Sequence, residues 1–384
     1  MDYFSSEFKL GILGGGQLGK MMLYETRKFD IHTCVMDASN DAPSKIACNE
    51  FELGDLLDFD AVYNFGKKVD VLTIEIENVN TEALEKLENE GVKVYPPTSA
   101  LRIIQNKAKQ KLFYIDNNIP TAPFSRFAYA SEIKDSIENK SLQFPFVWKS
   151  AQFGYDGQGV KIVRTNVDLE GLPQGECITE QLIPFKNELA VIVSRNVSGD
   201  IKTYPVVEME FHPEANQVEY VICPARIDEE IAQKAREIAI KILKKIKHVG
   251  LLAVEMFLTK EDEILVNEVA PRPHNSGHYS IEASYTNQFE QHIRAILDLP
   301  LGNTDSKVAG IMVNLVGEEG HTGDVAYQNM EAILKMDGVT PHIYGKKQTR
   351  PFRKMGHVTI VNENIEEART IAQKVKETIK VISK

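Results

Sequence analysis

A chain of 384 residues, 43% hydrophobic and 26% charged, has the size and composition of two to three globular domains. Its net charge of −11 excludes the broad basic face that nucleic-acid binding needs, although a local basic pocket for a phosphorylated small molecule is compatible with it. No apolar run reaches the roughly 20 residues that span a bilayer, and the start lacks the pattern of a signal peptide, so the expected location is cytoplasmic, with no nucleic-acid or membrane partner.

The first hundred residues alternate strand and helix signals. KLGILGG and IHTCVMD are short apolar runs separated by a helical stretch around Met21 to Lys28. VDVLTIEIENV is a further strand run, and VKVYPP follows a helix from Thr81 to Glu90 that Gly91 closes. This pattern predicts a parallel sheet of βαβ units, ending at Pro96-Pro97. Between the first strand and the first helix, Gly14, Gly16 and Gly19 form GxGxxG, and Asp37 ends the next strand 18 residues beyond. That is nearly the dinucleotide fingerprint, in which backbone N–H groups and a helix N-terminus hold pyrophosphate. The same donors suit any phosphate, and the expectation is that they hold the ribose phosphate of the substrate rather than NAD.

A Lys-rich helix (Asn106 to Asp116) comes next, and then IPTAPF, whose prolines exclude helix. FPFVWKS, GVKIVR, CITEQLI and ELAVIVSR read as strands joined by tight turns, so the chain changes here to mostly antiparallel β. Lys149 stands near the end of one strand, five residues before Gly154 in GYDGQGV. A lysine beside a mobile glycine hairpin can wrap a polyphosphate, with charge on one side and N–H groups on the other. Asp228 is placed to cap a long helix with Ile231, Ala235, Ile238, Ile242 and Ile246 on one face, which Gly250 closes.

LLAVEMFL and EILVNEV flank the polar turn TKEDE and read as a hairpin. Closure between Glu261 and Asp262 sets Glu255 directly opposite Glu268. At ~5 Å and an effective dielectric of ~20, two such charges repel by roughly 3 kcal/mol. A divalent cation reverses that term, and hard carboxylates suit magnesium with nucleotide phosphates. Glu268→Gln is accordingly expected to raise the stability of the ligand-free protein. Asn267 alternates to the opposite face, so it joins the site only if the strand bulges there. PRPHNSGHYS then gathers Arg272, His274, Asn275, Ser276 and His278, a set suited to hydrogen bonding a polar or anionic substrate; it lacks the HExxH pattern of zinc sites. From about Leu301 a third unit follows, in which Lys346, Lys347, Arg350, Arg353 and Lys354 crowd a shaped loop that can fork onto phosphate or carboxylate. The four cysteines form no CxxC pair, which suits a reducing compartment and offers no metal framework. No internal repeat is evident.

Together, GILGGGQLGKMM, TIEIENV, PFVWKSAQFGYDGQGV, ITEQLIPFKNELAVIV, VNEVAPRPHNSGHYSIEA and IYGKKQTRPFRKMGHV resemble, in order and over the full length, the ATP-grasp superfamily and within it the family of 5-(carboxyamino)imidazole ribonucleotide synthases. The resemblance implies an α/β ATP-grasp fold: a Rossmann-like parallel domain (residues 1–100), an ATP-grasp domain with a β-rich lid (101–300) and a small β-rich C-terminal domain (301–384). It implies an ATP-dependent ligase of purine biosynthesis that carboxylates aminoimidazole ribonucleotide, with ATP, Mg2+ and bicarbonate, as a homodimer and with functional coupling to the mutase that follows. Lys107 would lie beside the nucleotide and Lys149 would reach its phosphates, under a lid of Gly154, Tyr155, Asp156, Gly157, Gln158, Gly159 and Val160. Glu180, Gln181, Leu182 and Ile183 would edge the adenine, Glu188 would take the ribose with His212 nearby, and Glu255, Glu268 and Asn267 would serve the metal end. The ribonucleotide would rest on Gly16, Gln17 and Leu18, ringed by Glu75, Tyr155, Asp156, Arg272, His274, Asn275, Lys346, Arg353 and Lys354. Catalytic work would fall to Lys149, Tyr155, Arg272, His274, Lys346 and Arg353. Three positions depart from the family pattern: Lys107 replaces arginine, Val160 replaces glutamine and Phe352 replaces glycine. The competing readings are a formate-dependent glycinamide ribonucleotide transformylase, an NAD-binding oxidoreductase resting on the first motif alone, and a non-enzymatic nucleotide-binding regulator.

Overall fold

The computed structural model describes residues 2–152, 159–212 and 217–384. The strands β1 (Lys9–Leu13), β2 (His32–Asp37), β3 (Glu50–Leu53), β4 (Val71–Ile74) and β5 (Lys93–Tyr95) form a five-stranded sheet, parallel throughout, in the order β3-β2-β1-β4-β5. Near-continuous apolar runs are what a parallel sheet covered on both faces demands, and every residue of β4 is buried. The strand order reverses between β1 and β4, so the glycine turn after Leu13 and Glu75 after Ile74 lie side by side at the topological switch point.

The helix Lys107–Asp116 follows, its N-terminus capped by the Asn106 side chain, which accepts from the Lys109 amide at 2.9 Å. A small antiparallel sheet is built from β6 (Phe124–Phe127), β7 (Phe146–Ser150), β8 (Val160–Val163) and β9 (Cys177–Gln181), in the order β6-β9-β7-β8. It closes on its own core of Phe146, Trp148, Ile133, Val163 and Cys177.

The largest sheet gathers β10 (Phe185–Arg195), β11 (Ile201–Thr203), β12 (Val207–Phe211), β13 (Val218–Cys223), β14 (Gly250–Thr259), β15 (Ile264–Ala270) and β16 (Ala309–Val316). The chain continues through β17 (Gly323–Gln328), β18 (Val339–Ile343), β19 (Gln348–Thr349), β20 (Lys354–Asn362) and β21 (Lys380–Ser383). β16, β20 and β18 extend the large sheet beyond β13, whereas β17, β19 and β21 form a small separate one. The sheet therefore runs across residue 300, with Tyr220 opposite Val313 in the joining register.

The helix Glu229–Lys245 packs Ile231, Ala235, Ile242 and Leu243 on Val191, Leu252 and Val254, as its three- and four-residue spacing requires. Two local expectations change. Asp228 holds the N-cap position without a side-chain cap hydrogen bond. The left-handed residue that ends the helix is Lys247 (φ 55°), while Gly250 (φ 105°) opens β14, where a Cβ would lie 3.0 Å from the His292 ring.

Candidate active site

β14 and β15 place Glu255 opposite Glu268, as the counting of the hairpin predicts, but two departures combine to give that result. Leu258 faces Ile264 and Met256 faces Val266, so the turn is centred on Glu261, with Asp262 left-handed (φ 62°). A bulge between Glu255 and Met256 then restores the facing pair and leaves Asn267 as the extra residue. Released from the alternation, Asn267 turns to the site, where its Oδ1 accepts from Lys149 Nζ at 2.8 Å. β10 adds Glu188, which shares the face of Glu255 through the register Ala190 to Glu255 and Glu188 to Phe257.

Three lysines face these carboxylates. Lys107, at the start of its helix, forms an ion pair with Glu268. Burial alone would lower the Lys107 pKa, yet the attraction of Glu268 raises it. The same lysine pulls Glu268 below the usual carboxylate range, while burial and the Glu268 charge push Glu255 upward. The pair is thus asymmetric, with one carboxylate ionised and held by a cation and its neighbour inclined to keep a proton. Lys149 on β7 and Lys111 on the helix sandwich Glu180 at 2.8 and 2.7 Å. Lys111 is absent from the sequence reading, although its spacing of four from Lys107 places both on one helix face. The Glu180 carboxylate is thereby committed beneath the site, and Gln181, Leu182 and Ile183 continue along its more open edge. Gly159 and Val160 lie at the start of β8; Gly154, Tyr155, Asp156, Gly157 and Gln158 fall outside the described residues.

His274 reaches Glu255 with Nε2 at 3.5 Å and is oriented by Ser276 Oγ at 3.0 Å from Nδ1. Arg272 pairs with Glu77 at 2.9 Å, a partner the sequence did not suggest. Asn275 exchanges amide hydrogen bonds with Asn314 at 2.9 Å in both directions, so it braces the loop on β16. His278 is buried, stacks near Phe289 and His357, and bonds Gln288 at 2.9 Å, which separates it from His274 as a ligand. In the basic loop, Lys346 Nζ donates to the Lys354 carbonyl at 2.8 Å and Arg353 to the Gln348 carbonyl at 2.6 Å. Phe352 carries a positive φ of 62° and packs on His212, with ring centroids 5.8 Å apart. Lys20 ties the loop to the N-terminal sheet through the carbonyls of Ile343 (3.2 Å) and Tyr344 (3.3 Å).

The glycine turn is filled from within the chain, contrary to the phosphate expectation. Gly16 and Gly19 donate to the two oxygens of Glu75 at 2.9 Å each, and Gly15 donates to Asp37 at 2.7 Å. The glycines serve this contact, because a Cβ on Gly14 or Gly16 would lie 2.4 Å from Glu75. A pyrophosphate would have to displace two carboxylates, which speaks against both the NAD reading and a phosphate on these three amides; both Asp37 oxygens are taken by the Gly15 and Ser39 amides, at 2.7 Å each. Among the described residues one His/Cys/Glu grouping, His32, Cys34 and Glu50, lies elsewhere, and Lys9 and His32 already share the Glu50 carboxylate at 2.8 Å.

Residues 8–105 match the ribonucleotide synthetase pre-ATP-grasp domain, 112–289 the ATP-grasp domain and 310–371 the phosphoribosylaminoimidazole carboxylase C-terminal domain. The N5-carboxyaminoimidazole ribonucleotide synthase of Bacillus subtilis (strain 168) is 38% identical over 92% of this chain and 91% of its own. The chloroplastic phosphoribosylaminoimidazole carboxylase of Vigna aconitifolia is 38% identical over 94% of this chain, which spans 65% of that longer relative. The crystal structure of the Thermotoga maritima synthetase superposes with a TM-score of 0.90 at 43% identity, covering 98% of this chain and 100% of that one. The Aspergillus clavatus synthase in complex with ADP and 5-aminoimidazole ribonucleotide gives 0.88 at 34% identity, covering 97% and 98%. Two lobes of β-sheet with facing carboxylates on one and a lysine on the other define an ATP-grasp enzyme. Within that class, the chain belongs to the N5-carboxyaminoimidazole ribonucleotide synthase family.

Proposed function

We propose that this chain is the ATP-dependent ligase that joins bicarbonate to the amine of 5-aminoimidazole ribonucleotide, giving 5-carboxyaminoimidazole ribonucleotide, ADP and phosphate in purine biosynthesis. The observation that carries the reading is the Glu255–Glu268 pair facing Lys107 and Lys149, beside a glycine turn and a basic loop from two other domains. Family membership supports it, as does the 34%-identical relative whose structure holds ADP and the ribonucleotide.

Glu255 and Glu268, with Asn267 brought in by the bulge, fit a hard divalent cation, since two carboxylate oxygen donors and an amide converge there. Magnesium bound to them would offset charge on the nucleotide phosphates. Lys107 and Lys149 exchange Glu268 and Glu180 for phosphate oxygens, so the site keeps its charge balance as ligand enters. Gln181, Leu182 and Ile183 border the adenine, Glu188 meets the ribose hydroxyls with His212 nearby, and Gly154 to Val160 close over the phosphates. Bicarbonate attacks the γ-phosphorus, ADP leaves, and the carboxyphosphate formed passes its carboxyl group to the ribonucleotide amine, with loss of the amine proton and of phosphate. Tyr155, Asp156, Arg272, His274 and Lys346 surround the reacting atoms and exclude water, which would consume carboxyphosphate. Because both Glu75 oxygens already occupy the Gly16 and Gly19 amides, the ribonucleotide turns its ring and ribose, not its phosphate, toward Gly16, Gln17 and Leu18. Its phosphate goes to Arg353 and Lys354 in the basic loop, which suits the planar fork of arginine. ADP release measured with each substrate omitted tests the reading: turnover requires ribonucleotide and bicarbonate together. Turnover indifferent to the ribonucleotide rules it out.

A further inference from the structure

Lys111 lies on a polar circuit that links the helix, the small sheet and the metal-facing hairpin. Its Nζ donates to Thr121 Oγ1 at 2.5 Å, and Thr121 Oγ1 donates to the carbonyl of Val266 at 2.7 Å, one residue before the bulge. Lys149 Nζ closes the other arm onto Asn267 Oδ1 at 2.8 Å. Glu180 joins the two arms, with Oε1 2.7 Å from Lys111 and Oε2 2.8 Å from Lys149. The three side chains are 3%, 4% and 9% exposed in the order Lys111, Glu180, Lys149, so none of these charges is screened by bulk water.

One buried carboxylate between two buried lysines has a consequence for the reaction. When Lys149 turns to a phosphate it must leave Glu180, and a buried carboxylate stripped of its last cation is costly. Lys111 is out of reach of that exchange, because its helix and Thr121 hold it behind Glu180. Burial draws its pKa down to about 8, against the pull of Glu180, which leaves it charged at neutral pH. Burial alone would raise Glu180, and the two lysines together hold it below the ordinary carboxylate range.

We propose that Lys111 is a positioning residue: as a stationary counter-charge it keeps Glu180 neutralised and so releases Lys149 to the transferring phosphate. The inference rests on the proposed role of Lys149 at ATP. Without Lys111, Glu180 has Lys149 as its one remaining direct ion-pair partner among the described residues and retains it. Lys111→Met should therefore lower kcat roughly 30-fold and Mg-ADP affinity roughly tenfold, with adenosine affinity and the ribonucleotide KM changed by less than about twofold. Lys111→Arg, which keeps the charge, should recover most of the loss. The decisive variant is Lys111→Met combined with Glu180→Gln, which removes both members of the buried pair, folds without a stranded charge and frees Lys149. It should return to within about tenfold of wild-type kcat. A merely structural lysine predicts the reverse, a double variant as poor as or poorer than the single one, and that result overturns the proposal even if Lys111→Met alone does not fold. Lys149→Met, assayed in parallel, separates the two layers. If it retains ATP turnover, the role of Lys149 fails; if it is inactive while Lys111→Met matches wild type, only the present inference fails.

Discussion

Glu188 is partly buried on β10, and burial pushes its carboxyl up to about 7, with Lys149 opposing the rise and Glu268 adding to it. A folded-state pKa above the unfolded value means that the folded chain holds the proton more tightly. The contribution to stability is complete below about pH 4.5 and disappears as pH rises through about 7. Discounted for residual solvent access, the loss is about 1–2 kcal/mol. Glu188→Gln cannot suffer it, so without ligand it should match wild type near pH 4 and be about 1–2 kcal/mol more stable at pH 8. Urea unfolding at both pH values measures this, and equal differences at the two would show that Glu188 does not titrate in the window. Phe352 makes a second residue-scale case. Its φ of 62° is a glycine conformation, so the departure from the family glycine is held against backbone preference by the ring contact with His212. Both Phe352→Gly and Phe352→Ala lose the ring, but only glycine sheds the strain. The glycine variant should be about 1 kcal/mol more stable than the alanine variant, the opposite of their order in a helix.

The β14–β15 hairpin shows how far sequence reasoning reaches and where it stops. Counting the two apolar runs around TKEDE sets Glu255 opposite Glu268, a pairing the structure reaches by a shifted turn and a compensating bulge. The three-residue turn is not legible, because it depends on a left-handed Asp262; the bulge is legible only as the condition for Asn267 to join the site, and a lysine from another sheet takes Asn267 there. The spacing of Lys111 from Lys107 marks a shared helix face, but its partner Glu180 and the pairing of Arg272 with Glu77 are not legible, because ion pairs across elements leave no periodic trace in the chain. The glycine turn was legible as a turn, but its occupant was not, since Glu75 arrives from β4 through the strand order of the sheet. The hairpin also corrects the expected effect of Glu268→Gln. Glu268 is the member paired with Lys107, so its removal strands a cation that is 17% exposed. Glu268→Gln should cost about 1 kcal/mol in metal-free buffer at pH 8, whereas Glu255→Gln should stay within about 0.5 kcal/mol of wild type or exceed it. Both should lose magnesium-dependent ATP turnover. Equal apo stabilities would remove the asymmetry on which this contrast rests.

At the scale of the molecule, the sheet that carries the carboxylates continues through β13 and β16 into the C-terminal region, while the small sheet that carries Lys149 has a core of its own. A β-strand paired on both sides exchanges its protection only when the whole sheet opens, whereas a lobe with a separate core can open by itself. Three buried cysteines report these units separately: Cys34 on β2, Cys177 on β9 and Cys223 on β13, with Cys48 half-buried as a control. Burial raises the pKa of all three buried thiols, so each reacts only after its surroundings open. Pulsed thiol labelling read by peptide mass spectrometry should find Cys48 modified first, Cys177 next and Cys223 last, at the rate of global unfolding. Mg-ADP bridges the two lobes in the proposed complex, so it should slow Cys177 by roughly tenfold at concentrations some hundredfold above its Kd, with less effect on Cys34. The ordering follows from topology and the nucleotide effect from the placement of Lys149, so each can fail alone. Cys177 and Cys223 reacting at one common rate would mean that the small lobe opens only with the large sheet. Cys177 reacting first but unmoved by Mg-ADP would leave the lobes independent and remove nucleotide from the cleft between them.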